Sequence, residues 1–486
     1  MMDRGLDAGT RVKIMKRRYG IADVPGGEHF YRRFTAMLER DHRDGDVEIM
    51  FQRVARQDAT GRDSDSVSVL KIRAFDAVQA FESQAVDAVL LPCLRSQSVL
   101  AEIEAETAVP IVRLMEALKA VSSKKYPSGA RIGILGPDWL RNSGYFEREF
   151  TAEHWQLLYP AADIQRDGIK AVVEAMALPP EAVTMKLTNA CEDLMRQGAE
   201  SIIVCDSVVE DAVSDLRMKG FPVIDALAVY AEYAVSVIVN RKKKPFKIGV
   251  AGGVGPAATV DFLDKIVRNT PAQRDQDHVK MVVEQNPQIP DRTAYLLGQG
   301  ADPTIALYAT CRRLEAAGAD LIAIPCNTAH AFVERIQPHL SIPIVNMLHE
   351  TADYVRRNHK NAKKIGLLAT RGTIASGVYH EAIAAAGFEL LVPDEAHQGR
   401  VMNAIYGPLG VKAGFTEGEC VEDVLAALAS LARRGAEIIV LGCTELPLLL
   451  SQTEAFPVAD GTVVILDPTD ILAKTCVDRA LHPFKE

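Results

Sequence analysis

The sequence predicts an α/β protein of two tandem homologous halves, each made of two pseudo-symmetric Rossmann-like lobes with a mainly parallel sheet flanked by helices. Three observations predict this. Short β-branched, apolar runs alternate with helical patterns, which implies a parallel sheet covered by helices. Segments of the first half recur in the second at one displacement. A weaker repetition divides the second half once more.

The long repeat is explicit. Residues 86–93, Val-Asp-Ala-Val-Leu-Leu-Pro-Cys, match 319–326, Ala-Asp-Leu-Ile-Ala-Ile-Pro-Cys. Val109-Pro110-Ile111-Val112 matches Ile342-Pro343-Ile344-Val345, and Arg131-Ile132-Gly133-Ile134-Leu135 matches Lys364-Ile365-Gly366-Leu367-Leu368. All three share a displacement of 233 residues. Gly198-Ala199-Glu200 matches Gly435-Ala436-Glu437 further on. The Asn240 to Pro245 linker separates the copies, so the expected domains are 1–243 and 244–486. Within the second copy, Lys247-Ile248-Gly249-Val250 opens a glycine-rich turn and a helix. Lys364 to Leu368 does the same, ending in Ala369-Thr370-Arg371-Gly372-Thr373. Each series then reaches one cysteine loop. Ligands of open α/β sheets bind at the carboxyl ends of strands, where both cysteine loops are expected.

Composition narrows the function classes. A net charge of −9 and a pI near 5.8 argue against nucleic acid as the main partner. The short basic run Arg241 to Lys244 reads as a solvated linker. Eight cysteines are too sparse for a disulfide scaffold, and no Cys-x-x-Cys spacing suggests zinc, so no metal is expected. Met1 to Gly20 is charged and lacks an apolar core, so no secretory signal is expected. Ala226 to Val239 is too short and mixed for a membrane span and reads as a buried helix. A cytoplasmic, reducing location with no membrane partner follows.

The cysteine loops carry the chemistry. One reads Ile324-Pro325-Cys326-Asn327-Thr328-Ala329-His330, the other Leu441-Gly442-Cys443-Thr444-Glu445. Each follows a predicted buried strand, Ala319 to Ile324 and Glu437 to Leu441, and each precedes a predicted helix. The N–H groups of a helix start stabilise an anion and lower a thiol's pKa. Two such thiols facing one pocket can remove a proton from one side of a carbon and return it from the other, which is cofactor-independent racemisation. Cys191, Cys311, Cys420 and Cys476 lack this setting and read as small buried hydrophobes. The Gly252 to Gly255 turn has neither dinucleotide nor phosphate-loop spacing. Its glycines, Gly253 and Gly255 among them, are expected to let the backbone approach a small carboxylate.

Four motifs resemble the aspartate/glutamate racemase family of pyridoxal-independent, two-cysteine enzymes. They are Gly252-Gly253-Val254-Gly255-Pro256, Ile289-Pro290-Asp291-Arg292-Thr293, Pro325-Cys326-Asn327-Thr328-Ala329-His330 and Gly442-Cys443-Thr444-Glu445. The Asp-Arg-Thr segment is similar to aspartate racemases more than to glutamate racemases. The resemblance covers Phe246 to Ala480 strongly and the first half weakly. It implies Cys326 and Cys443 as the catalytic pair, a dicarboxylic amino-acid substrate and no cofactor. Arg292 would hold the substrate's side-chain carboxylate in two hydrogen bonds; alternatively it pairs with Asp291 at the surface. Lys412, in Gly407-Pro408-Leu409-Gly410-Val411-Lys412, matches a family lysine that assists carboxylate binding, or is a solvated lysine. Asn327, Thr328 and Thr444 would cap helices, bind the α-carboxylate, or both. Asn286 could also reach the pocket. His330 either tunes the Cys326 thiol or is structural, and Glu445 either orients donors or favours a helix start.

The first half keeps Cys93 and Cys205 but not their surroundings. Leu94-Arg95 stands where the second half has Asn327-Thr328, and Val204-Cys205-Asp206 replaces Gly-Cys-Thr. Counted from the shared Gly-Ala-Glu, Cys205 arrives one residue before Cys443, and one residue reverses a strand side chain. The first half is therefore expected to be a degenerate, silent copy, with Arg95 beside Cys93 leaving open a different ligand or a different reaction. Enzymes of the resembled family often work as dimers, so the chain would be a monomeric pseudo-dimer or a homo-oligomer. Two rival functions stay open: a maleate-isomerase-like or arylmalonate-decarboxylase-like enzyme using one cysteine, and a dicarboxylate-binding regulatory protein.

Overall fold

The computed structural model describes residues 16–24, 27–53, 67–150, 154–170, 178–205, 212–239, 245–459 and 461–483. Most of Met1 to Gly20, Asp206, and the Asn240–Lys244 part of the linker with its basic run lie outside the described residues. The chain divides into two compact units at the Lys244/Pro245 boundary. No described helix is long and apolar enough to cross a membrane. The apolar stretch near residue 230 is the helix Ala226–Ser236, with Leu227, Tyr230 and Ala234 buried and Glu232 exposed.

Unit 1 holds two parallel sheets. Strands β1 (Arg17–Ala22), β2 (Val47–Gln52), β3 (Ala88–Leu90) and β4 (Ile111–Val112) pair in the order β2-β1-β3-β4. Strands β5 (Arg131–Leu135), β6 (Gln156–Leu158), β7 (Ser201–Val204) and β8 (Val223–Asp225) repeat it as β6-β5-β7-β8. Its last helix returns to the first lobe, where the Tyr19 hydroxyl donates to the Ala234 carbonyl at 2.8 Å.

Unit 2 follows the same plan. Its first lobe orders β9 (Lys247–Gly252), β10 (Lys280–Gln285), β11 (Leu321–Ala323) and β12 (Ile344–Val345) as β10-β9-β11-β12. Its second lobe holds β13 (Lys364–Leu368), β14 (Glu389–Leu391), β15 (Ile438–Leu441), β16 (Thr453–Val458) and β17 (Gly461–Leu466), ordered β14-β13-β15-β17-β16. All pairings are parallel except β16 with β17. Parallel strands covered on both faces need apolar residues at consecutive positions, and Ile438 to Leu441 is buried throughout. The final helix Pro468–Leu481 crosses back to the first lobe, where Leu472 and Cys476 join Ile248, Val250 and Phe262 in one core. In both lobes the chain leaves the first strand to one side and returns on the other. The crevices at the β9/β11 and β13/β15 ends are therefore topological switch points.

Candidate active site

Both switch-point crevices of unit 2 open onto one cavity. Its lining includes Cys326 and Asn327 after β11, and Cys443, Thr444 and Glu445 after β15. Arg292, Lys412 and Thr328, also expected from the sequence, line it too, and the cavity is narrow, with about 10 Å³ of room for a water-sized sphere. The two thiols thus come from different lobes and face a common volume. A wider, open cleft bounded by His330, Asn346 and His349 contains neither thiol. No group of three or more His, Cys, Asp or Glu among the described residues is placed to hold a metal ion.

The loops differ from the expected strand-to-helix turns. Cys326 is followed by a 3-10 segment, Thr328–Phe332, and Cys443 by Leu446–Leu448. Such short turns lack the aligned peptide dipoles of a full α-helix. The Cys443 thiol is accordingly not lowered. Burial and the adjacent Glu445 carboxylate push it well above the ordinary thiol value. Its Sγ donates to Glu445 Oε2 at 3.0 Å, and Glu445 Oε1 accepts from Lys412 Nζ at 2.6 Å. Lys412 lies 5.3 Å from the centre of the Tyr406 ring. Burial would lower the Lys412 pKa, but the charges of Glu445 and Cys443 outweigh it and raise the value. Lys412 is therefore paired rather than free, with its side chain 27% exposed.

Cys326 has different company. Arg292 is 9% exposed and interacts electrostatically with Cys326 across the cavity lining. Burial disfavours the Arg292 charge, but Cys326 and Asp291 more than offset it. Two of its hydrogen bonds go from Nη1 to the carbonyls of Ile289 and Pro290, at 3.4 and 3.2 Å. Its Nε is buried without an acceptor among the described residues. Asn327, 2% exposed, accepts from the Tyr379 hydroxyl at 2.6 Å through Oδ1, and its Nδ2 is likewise without a partner. It makes no side-chain cap. Unpaired buried donors cost about 1–3 kcal/mol each, more when charged, which is sustained where a ligand supplies the acceptor.

A hydroxyl cluster joins the lobes beside the thiols. Thr328 Oγ1 lies 2.7 Å from Thr373 Oγ1, and Thr293 Oγ1 donates to Thr370 Oγ1 at 3.0 Å. Gly372 permits this approach, since a Cβ there would stand 2.7 Å from Thr293 Cα. Thr444 Oγ1 is 3.4 Å from Glu445 Oε2. His330 is structural. Its Nε2 accepts from the Met347 N–H at 3.1 Å, so its Nδ1 carries the proton given to the Cys326 carbonyl at 2.9 Å. Burial lowers its pKa and keeps it neutral.

Three expected residues stand outside the lining. Gly253 packs on the backbone of Asn286, where a Cβ would meet the Asn286 carbonyl carbon at 2.4 Å. Asn286 spends its amide on Thr310 Oγ1 at 3.0 Å and on the Gln288 N–H at 3.2 Å. Gly255, at φ 114°, does make room for a carboxylate, but the carboxylate is Glu445's own, 2.6 Å from where a Cβ would be. Conversely, Val254, Thr293, Thr370 and Tyr406 line the cavity and were not singled out from sequence. Thr293 and Thr370 lay inside motifs already marked, whereas Tyr406 is brought in by tertiary folding. Cys191, Cys311, Cys420 and Cys476 are all core residues, and burial pushes Cys191 and Cys311 up to about 12.

The corresponding crevice of unit 1 is rebuilt. Arg95 takes the Thr328 position and its guanidinium lies 5.6 Å from the Trp139 ring centre, where unit 2 has Gly372. Leu135 pairs with Val204 as Leu368 pairs with Leu441, so Cys205 occupies the register of Gly442. Cys205 is buried, and its Sγ points to the Ile203 carbonyl at 3.6 Å.

The model of the family described as Asp/Glu/Hydantoin racemase matches residues 20–234 and again residues 252–476. The broad specificity amino-acid racemase RacX of Bacillus subtilis (strain 168) is 28% identical over 241 residues, 48% of this chain and 98% of that protein. The glutamate racemase of Aquifex aeolicus (strain VF5) is 30% identical over 162 residues, 33% of this chain, and the match spans 59% of that enzyme. Among solved structures, Picrophilus torridus aspartate racemase is 29% identical with a TM-score of 0.43, covering 48% of this chain and 94% of that one.

Proposed function

We propose, on the premise that this chain belongs to the Asp/Glu/Hydantoin racemase family, that unit 2 interconverts L- and D-aspartate, with glutamate as a second substrate, by proton transfer between Cys326 and Cys443. The observation that carries this reading is a single cavity shared by two thiols, a buried guanidinium and an amide, the last two each with a donor left unpaired.

The chemistry follows from the company each sulfur keeps. Cys326, with Arg292 beside it, serves as the base in this reading. Cys443, hydrogen-bonded to a carboxylate, holds its proton. The Cys326 thiolate takes the α-proton, and the electron pair of the C–H bond passes onto the α-carbon and its carboxylate. The Cys443 thiol then gives its proton to the opposite face. For the other enantiomer the roles exchange. Asn327, Thr328 and Thr444 supply donors to the α-carboxylate as charge develops on it. Arg292 fixes the side-chain carboxylate. Unit 1 is a catalytically silent copy in this reading, because Arg95, Trp139 and Cys205 replace Thr328, Gly372 and Gly442, and the Cys205 Sγ points to the Ile203 carbonyl.

Incubation of L-aspartate with the protein in deuterated water tests the reading. D-aspartate carrying deuterium at the α-carbon is the expected product. Consumption of maleate without exchange at aspartate would instead favour a one-cysteine isomerase.

A further inference from the structure

Resting on the racemase reading, we infer that Tyr379, which stands outside the cavity lining, is a positioning residue of the reaction: its hydroxyl holds the Asn327 amide oxygen and leaves the amide NH2 group for the substrate's α-carboxylate. Asn327 is the one carboxamide among the described residues of the lining, and it is 2% exposed. A carboxamide has an acceptor end and a donor end of similar size, and only the donor end helps a carboxylate. Something must fix which end the substrate meets. Asn327 sits on the first-lobe loop after β11 and makes no side-chain cap that would do so. Tyr379 does, from the second-lobe helix Val378–Ala385. It is fully buried, and its hydroxyl oxygen lies 2.6 Å from Asn327 Oδ1. That separation is ordinary for O–H···O and below the usual range for N–H···O, so the phenol faces the amide oxygen. With Oδ1 engaged, Asn327 keeps Nδ2 for the cavity, buried and without an acceptor among the described residues.

The repeat supplies an independent observation. At the displacement of 233 residues, Tyr379 corresponds to Phe146 and Asn327 to Leu94. The backbone agrees, since Phe146 and Tyr379 each stand second in a helix that follows a left-handed glycine, Gly144 and Gly377. Phe146 and Leu94 are both buried and belong to one core. Two apolar side chains therefore serve the fold at these places, and the hydroxyl and the amide are absent together. Packing alone requires neither polar group. The hydroxyl is present in the copy that has an amide to orient.

The test reads deuterium incorporation into aspartate by the full chain, with long incubations so that slowed variants stay measurable. Tyr379→Phe removes the hydroxyl and keeps the ring. Its kcat/KM for aspartate is expected to fall about tenfold or more, mainly through kcat, because the amide donor counts most as charge develops on the α-carboxylate. Asn327→Leu supplies a second background. There the added Tyr379→Phe change is expected to cost less than about twofold, because no amide remains to be oriented. Circular dichroism checks that each variant is folded. Equal losses in the two backgrounds would mark Tyr379 as structural and overturn the inference. So would an undiminished kcat/KM in Tyr379→Phe, or a loss confined to KM. If Tyr379→Phe alone does not fold, the double variant, which carries the apolar pair that unit 1 already packs, is compared with Asn327→Leu: a further tenfold loss overturns the inference and an unchanged rate upholds it. Exchange by the wild type with either contrary result sinks this inference alone; no exchange with any amino acid sinks the racemase reading as well.

Discussion

Cys326 and Cys443 carry the same side chain in opposite electrostatic settings. A guanidinium interacts with one sulfur, and a carboxylate accepts a hydrogen bond from the other. A two-base racemase needs one thiolate and one thiol together. Its rate falls in acid when both are protonated and in alkali when both are ionised. Because burial and Glu445 raise the Cys443 pKa, the alkaline limb of kcat/KM should lie above the ordinary thiol value of 9.0. Glu445→Gln removes the neighbouring negative charge and leaves Lys412 unpaired, and both changes favour the thiolate. The alkaline limb of that variant should therefore move down, and a limb that moves up would contradict the assignment. Arg292→Lys keeps the charge but loses the planar two-bond grip. Its KM for aspartate should rise about tenfold, with a smaller change in kcat. At this scale the sequence was readable where motifs are contiguous: Cys326, Asn327, Cys443 and Arg292 all line the cavity. It was unreadable where role depends on a partner. Gly255 and Glu445 are 190 positions apart in the chain, and only folding shows that the glycine recess holds that carboxylate.

The strand ends decide which way a cysteine points. The parallel sheets were legible from consecutive apolar residues and from the displaced copies, and both units repeat one strand order. The 3-10 turns after each cysteine were not legible, because Asn and Thr are equally good before an α-helix. The register slip after β7 has a structural counterpart. A Cβ at Gly442 would stand 2.4 Å from Leu367 Cδ1 and 3.1 Å from Ala369 Cβ. In unit 1 the same place holds Cys205, and the Ala369 position is Gly136, with Cys205 Cβ 3.2 Å from where a Gly136 Cβ would be. The two copies have exchanged which position is small. Gly442→Ala should therefore destabilise the protein by about 1–3 kcal/mol, read from denaturant unfolding. Adding Ala369→Gly should recover part of that loss. No recovery in the double variant would mean that Leu367, not Ala369, sets the limit.

Two copies of one family domain share this chain, and in the second Cys326 and Cys443 line one cavity. The repeat itself was visible in matched segments at one displacement, and the family match falls on both copies. What the sequence left open was how the first crevice differs from the second. Arg95 stacked on Trp139 stands where unit 2 has Thr328 and Gly372, and Cys205 is turned into the core. A full-length Cys93→Ala/Cys205→Ala variant should keep its racemase rate within about threefold of wild type. Loss of the rate, with the fold intact by circular dichroism, would assign unit 1 a chemical part. The most direct measurement of the whole account follows L-aspartate in deuterated water without added pyridoxal phosphate, for wild type, Cys326→Ala and Cys443→Ala. The account predicts deuterium at the α-carbon and conversion to an equal mixture of enantiomers with wild type. In either variant the racemisation rate should fall by at least about a hundredfold. Undiminished racemisation by either single variant, or an unlabelled α-carbon with the wild type, would contradict it.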